Sequence, residues 1–155
     1  MNYQQIVGIL RKIPFFHDLD TETLTYIAQF GEGVRLKEGD ILFCEGDQGD
    51  RMYLIIAGSV EVYRIIDGGY HTVLARLATS DILGEMALFD EFPRSASVRA
   101  VEDCVLLSLR RVEFQLFLES HCAVALKLLG TMSRKLRDTN EKLMNRKKRG
   151  YFPQI

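Results

Sequence analysis

The stretch Ser59-Val60-Glu61-Val62-Tyr63-Arg64-Ile65, with Asp67-Gly68-Gly69 behind it and Tyr70 to Leu77 beyond, decides the architecture of the chain. Branched and aromatic residues alternate with polar ones, the period of two expected of a half-buried strand. Asp67-Gly68-Gly69 tolerates positive φ, so the two runs are expected to pair as neighbouring strands of one hairpin. The same texture extends outward from Gly31 to Leu109, where short apolar runs are broken at Glu38-Gly39-Asp40, Glu45-Gly46-Asp47, Gly49-Asp50, Gly58 and Ser80-Asp81. About eight short antiparallel strands of this kind close most simply as a jelly roll, a sandwich or barrel whose paired sheets protect their edges.

Helical periodicity flanks the β region on both sides. Ile6, Ile9, Leu10 and Ile13 recur at three-and-four spacing before Pro14, and Asp20 is placed to cap a second helix whose inner stripe is Leu24, Ile27 and Ala28. After the strands, Arg111 to Glu119 predicts a short helix and His121 to about Lys147 a long one. Within the latter, Leu129, Met132, Leu136, Thr139, Leu143 and Arg146 form a seam of period 3.5. Two readings of that seam stand side by side: a helix lying on its own sandwich, or a homodimer formed through the 124–146 helix. The run Arg146-Lys147-Lys148-Arg149 suits the dipole of a helix C-terminus, with a nucleic-acid or membrane contact as the alternative. The expected organisation is one domain over 1–155, mostly β with flanking α. It has N-terminal helices over 1–30, the sandwich over 31–110, C-terminal helices over 111–149 and a tail over 150–155.

Bulk properties narrow the function classes. A chain of 155 residues with 47% apolar and 26% charged residues has the balance of an ordinary globular domain. Twenty basic against twenty-one acidic residues leave a net charge of −1, so any anion site must be local rather than a property of the whole surface. No apolar run is long enough to span a bilayer, and the N-terminus lacks a signal-peptide layout, which makes the cytoplasm the expected compartment. The three cysteines, Cys44, Cys104 and Cys122, match no metal spacing and are expected to be buried small hydrophobes. His17, His71 and His121 lie in separate elements and no nucleophile has a visible base, so neither an enzyme nor a cofactor is expected.

One segment resists the strand pattern. Gly84 permits close backbone approach, Glu85-Met86-Ala87-Leu88 has the propensity for a single helical turn, and ten residues after the glycine comes Arg94 with the small residues Ser95 and Ala96. Amides at a helix start and a guanidinium are both suited to a phosphate. Arg94 shares strand parity with Ala96, Val98 and Ala100, so it points to the apolar side, where an unpaired charge is costly and an anion must meet it. That anion is either a ligand or an internal carboxylate, Glu85 or Glu91. Glu85 itself accepts hydrogen bonds only, so it cannot hold a phosphate but can receive a sugar hydroxyl. Together the two residues describe a site for a sugar phosphate.

The ordered set Gly84-Glu85-Met86-Ala87-Leu88, Pro93-Arg94-Ser95-Ala96 and Val98-Arg99-Ala100 closely resembles the phosphate-binding cassette, here residues 83–96, of the cyclic-nucleotide-binding domain family. That family includes regulatory subunits of cAMP-dependent protein kinase and the bacterial catabolite activator protein. The resemblance covers roughly residues 13 to 145. It implies that Glu85 receives the ribose 2′-hydroxyl and Arg94 pairs with the cyclic phosphate. Backbone amides near Ala87 and Ser95, with the Ser95 hydroxyl, would complete the phosphate contacts. By the same resemblance Val62 and Leu74 wall the base, and Thr139 meets the adenine amine. Leu83 stands where phenylalanine is common, a change of packing only. The ligand so implied is cyclic AMP, with cyclic GMP the alternative. Only about ten residues follow the long helix, so the expectation is a sensor module without a DNA-binding domain that signals to an effector protein or through its own dimer. A module that keeps the fold but binds cyclic GMP, another ligand or none, and serves protein interaction, is the rival reading.

Overall fold

Alternation at residues 59–66 produces β4 (Ser59–Ile66), and the three-residue turn at 67–69 returns the chain into β5 (Tyr70–Ala78). Gly68 and Gly69 take φ of 85° and 80°, the left-handed values the turn requires. The pair is antiparallel from Ser59↔Ala78 to Ile66↔Tyr70, with a register shift between Val62 and Tyr63. The structure is a computed structural model that describes residues 2–148. The break expected at Gly150 to Ile155, like Arg149 of the basic run, lies outside the described residues.

The other strands are β1 (Glu32–Leu36), β2 (Ile41–Phe43), β3 (Arg51–Ala57), β6 (Ile82–Leu83), β7 (Ser97–Ala100) and β8 (Cys104–Arg110). They form two four-stranded antiparallel sheets, ordered β1-β8-β3-β6 and β2-β7-β4-β5. The period of two then divides β3 and β8 between two cores. Ile55, Leu83, Cys104 and Leu106 of the first sheet meet Val60, Val98 and Ala100 of the second, which fills the sandwich. Met52, Leu54, Leu107 and Leu109 face the other way and form a second core with the helices. β3 and β8 are therefore apolar on both faces and read as continuous runs, whereas β4 and β5 alternate.

That second core explains the helices. α1 (Tyr3–Lys12) buries Ile6, Val7, Ile9 and Leu10, and α2 (Thr21–Phe30) buries Leu24, Ile27 and Ala28. Asp20 caps α2 as expected, its Oδ1 accepting the Thr23 amide at 2.8 Å. α3 (Arg111–Ser120) contributes Phe114 and Phe117, and α4 (Cys122–Lys148) contributes Val124 and Leu128, with Met132 packed against the same cluster. α4 therefore lies on its own domain through a stripe that takes in Met132 of the period-3.5 seam. Leu129, Leu136 and Leu143 of the seam remain 60%, 63% and 53% exposed.

The outer face of the second sheet carries a charged ladder. Glu61, only 6% exposed, receives Arg76 Nη2 at 2.7 Å on one oxygen and Arg99 Nη2 at 2.8 Å on the other. The cross-strand register sets this, since Glu61 lies opposite Arg76 on β5 and Arg99 on β7. The hydrogen bond from Arg99, aided by Arg76, holds the Glu61 carboxyl below the ordinary glutamate range.

One expectation needs correction. Cys104 is buried, but Cys44 and Cys122 are exposed. Cys44 opens the tight turn at 44–47, where its amide donates to Asp47 Oδ2 at 2.9 Å and its carbonyl accepts the Asp47 amide at 3.1 Å. Cys122 begins α4 at the surface. Both sit where chain geometry, rather than the apolar character of the thiol, decides exposure.

Candidate ligand-binding site

Arg94 is positioned by its backbone before its side chain. The Arg94 amide donates to the Asp47 carbonyl at 2.8 Å, the Gly46 amide donates to the Arg94 carbonyl at 2.9 Å, and Pro93 bridges Gln48. The turn Glu45-Gly46-Asp47 thus staples the arginine to the start of β7. As parity required, the side chain points inward, leaving the residue 9% exposed.

Its guanidinium lies 4.2 Å from the centroid of Phe43 and 5.9 Å from that of Tyr53. Nη2 donates to the Arg51 carbonyl at 2.7 Å, and among the described residues this is the one hydrogen bond the side chain makes. Two glycines admit it. A Cβ on Gly49 would stand 3.0 Å from Cζ and Nε, and a Cβ on Gly84 would collide with Nη1. Gly84 also takes φ of 69°, so both its conformation and the space beside it exclude a side chain.

The internal ion pair weighed above is not formed. Glu85 Oε1 receives Lys135 Nζ at 2.9 Å, and Glu91 faces Arg111 Nη1 at 3.9 Å. Asp50, the carboxylate that most favours the charged form of Arg94, is bound by Arg51 through Nε at 2.9 Å and Nη2 at 3.2 Å. Among the described residues no carboxylate lies within salt-bridge distance of Arg94. Burial accordingly lowers its affinity for the proton, opposed chiefly by Tyr53 and Asp50. Guanidinium keeps its charge despite this, so the pocket presents a desolvated cation with most of its donors unused.

Glu85-Met86-Ala87-Leu88 forms a single 3-10 turn, anchored by the fully buried Leu88. The Ala87 amide donates to the Gly84 carbonyl at 3.0 Å, so the turn itself uses the donor that the resemblance assigns to the phosphate. Ser95 is exposed with its carbonyl bound by Arg64 Nε at 2.8 Å, and Ala96 is buried. Beside the turn lies a cavity of about 440 Å³ lined by Phe15, Glu85, Met86, Met132, Leu136 and Thr139. Glu85 and Thr139 thus share one cavity although they come from elements about fifty residues apart in sequence. The Thr139 hydroxyl donates to the Lys135 carbonyl at 2.9 Å.

The base-wall residues are placed less uniformly. Val62 lies half-buried opposite Val98 on the inner face of the sandwich. Leu74 falls at the register shift of the hairpin and is 54% exposed. Sequence reasoning missed Phe43, Tyr53 and Arg51, which surround the guanidinium, and Lys135, which holds Glu85. The inward parity of Phe43 and Tyr53 was an available signal; the reach of Lys135 was not. Arg111 was also missed. It donates to the Asp90 carbonyl at 2.9 Å and the Gly49 carbonyl at 2.8 Å, while Gln115 Nε2 donates to the Leu88 carbonyl at 3.1 Å, so α3 is bonded directly to the cassette.

Known proteins resemble the chain in sequence and fold. The cyclic AMP receptor protein of Thermus thermophilus is 35% identical over 130 residues, covering 84% of this chain and 60% of its own length. The N-terminal domain of a transcriptional regulator from Streptomyces coelicolor superposes with a TM-score of 0.83 at 37% identity, covering 87% of this chain and 94% of that one. The regulatory domain of Toxoplasma gondii PKA, crystallised with cAMP, superposes with a TM-score of 0.69 at 30% identity, covering 74% of this chain and 43% of that one. The chain spans about 60% of the length of the Thermus relative. Residues 33–121 match the family model of the cyclic nucleotide-binding domain, and with these relatives the match shows that the chain belongs to the cyclic nucleotide-binding domain family.

Proposed function

We propose that the chain is a receptor module for cyclic AMP. Arg94 carries the reading: a buried guanidinium, cradled by Gly49 and Gly84 and without a carboxylate partner among the described residues, is a site made for an external anion. Glu85 receives the ribose hydroxyl, Val62 and Leu74 flank the base, and Thr139 meets it from α4. Preference for cyclic AMP over cyclic GMP draws support from the relatives that carry cyclic AMP in their names.

Signalling follows from the bonds between α3 and the cassette. A ligand held by Arg94 and Glu85 that moves the cassette toward the C-terminal helices acts on Gln115 and Arg111, and through α3 on α4, which then offers an altered surface to an effector or a second copy. Such a switch needs unequal ligand affinity for the two arrangements. Crystals with and without nucleotide that show α4 in one position would count against it.

Calorimetric titration with cyclic AMP, followed by competition with cyclic GMP, tests the ligand. Binding is expected in the native chain and lost in Arg94→Leu with the fold intact. Persistent micromolar affinity in that variant would sink the phosphate role. Absence of any binding to the native chain would favour the interaction-module reading. Release of AMP on incubation would overturn a receptor without catalysis.

A further inference from the structure

We propose that Lys135 is a positioning residue for the ligand, delivered by α4 to hold Glu85 and balance its charge, so that recognition of the ribose hydroxyl depends on where α4 lies. This rests on the receptor reading above. Glu85 follows directly on Gly84, the residue against which the Arg94 guanidinium packs. An anionic ligand bound by that guanidinium comes close to the Glu85 carboxylate, and like charges in a partly enclosed site repel. Lys135 Nζ stands 2.9 Å from Glu85 Oε1, and among the described residues it is the one salt-bridge partner Glu85 has. The Glu85 side chain is 20% exposed and that of Lys135 70% exposed, so the lysine reaches in from solvent to a carboxylate that is largely enclosed.

The geometry leaves room for a ligand. A carboxylate offers two oxygens with about four acceptor sites in all, and the ammonium engages one oxygen. A sugar hydroxyl can therefore donate to Oε2 without displacing the lysine. With the ammonium in place, the carboxylate is held in one rotamer and partly neutralised. Lys135 comes from the two turns of α4 that also contribute Met132, Leu136 and Thr139 to the cavity beside Glu85. α4 is in turn fixed to the domain through Val124, Leu128 and Met132. The lysine therefore ties the hydroxyl acceptor of the cassette to the placement of the long helix.

The test is a cycle of two proteins and two ligands by calorimetry, using cyclic AMP and its 2′-deoxy analogue. Lys135→Met is expected to weaken cyclic AMP binding about fivefold, in keeping with an ion pair of which one member stays largely in solvent. The 2′-deoxy analogue keeps the phosphate charge that Glu85 repels but has no hydroxyl for Glu85 to receive, so it should lose clearly less than cyclic AMP, about twofold, and Lys135→Arg should restore cyclic AMP binding to within about twofold. Thermal denaturation of each variant separates this from loss of fold. Equal losses for both ligands, no loss, or tighter binding in Lys135→Met would overturn the proposal; tighter binding would mean that the lysine competes with the ligand. If the native chain binds neither nucleotide, the receptor reading itself fails and this proposal with it.

Discussion

Arg94 stands in the folded chain as a desolvated charge compensated by one hydrogen bond and two aromatic faces, so replacing it should act in opposite directions on stability and on binding. Arg94→Leu removes the cost of burying the charge and fills the same apolar surroundings, which should stabilise the ligand-free protein by about 1 kcal/mol, or roughly 2–4 °C in Tm. Saturating cyclic AMP should raise the Tm of the native chain and leave that of the variant unchanged. A lower ligand-free Tm in the variant would show that the cation supports the fold. The inward direction of Arg94 was legible from parity with Ala96, Val98 and Ala100. Its lack of an internal partner was not, because the answer depended on where Glu85 and Glu91 find their cations. Lys135 lies fifty residues from Glu85 and reaches it only through the packing of α4.

Among the elements, the ladder Arg76–Glu61–Arg99 ties β5, β4 and β7 together across the outer face of the second sheet. Because the folded-state pKa of Glu61 is depressed, its contribution is present above the unfolded value of about 4.3 and is lost as pH falls through the lower folded value. Glu61→Gln is therefore expected to destabilise the protein at neutral pH and to flatten the acid limb of the Tm profile below about pH 4. A variant whose acid limb parallels that of the native chain would refute this. Periodicity identified the helices, the hairpin and the Asp20 cap, since each rests on residues close in sequence. The ladder stayed hidden because it needs the pairing register of three strands. So did the bonds from Arg111 and Gln115 to the cassette, which join α3 to a loop more than twenty residues earlier.

For the molecule as a whole, the long helix leaves an apolar seam open. Leu129, Leu136 and Leu143 recur every seven residues and stay exposed, while Val124 and Leu128 attach the helix to its own domain. Self-association through this seam is the expected outcome. Light scattering should find a dimer that Leu136→Lys converts to a folded monomer whose Tm no longer depends on concentration, and a native chain that is monomeric at high concentration would reject it. The period of 3.5 was readable from sequence, but not that the helix would attach to its own domain through Val124, Leu128 and one seam residue, Met132. The cysteines misled for a related reason, as burial followed their place in a turn and at a helix start. Their arrangement has a practical use. Maleimide should modify Cys44 and Cys122 in the native protein and reach Cys104 only on unfolding, and reaction of all three at once would contradict the burial. One accessible thiol lies in the turn that staples Arg94 and the other opens α4. A pair of spectroscopic labels there forms a ruler from the ligand cradle to the helix, and in a chain without tryptophan a single introduced indole would report beside it undisturbed.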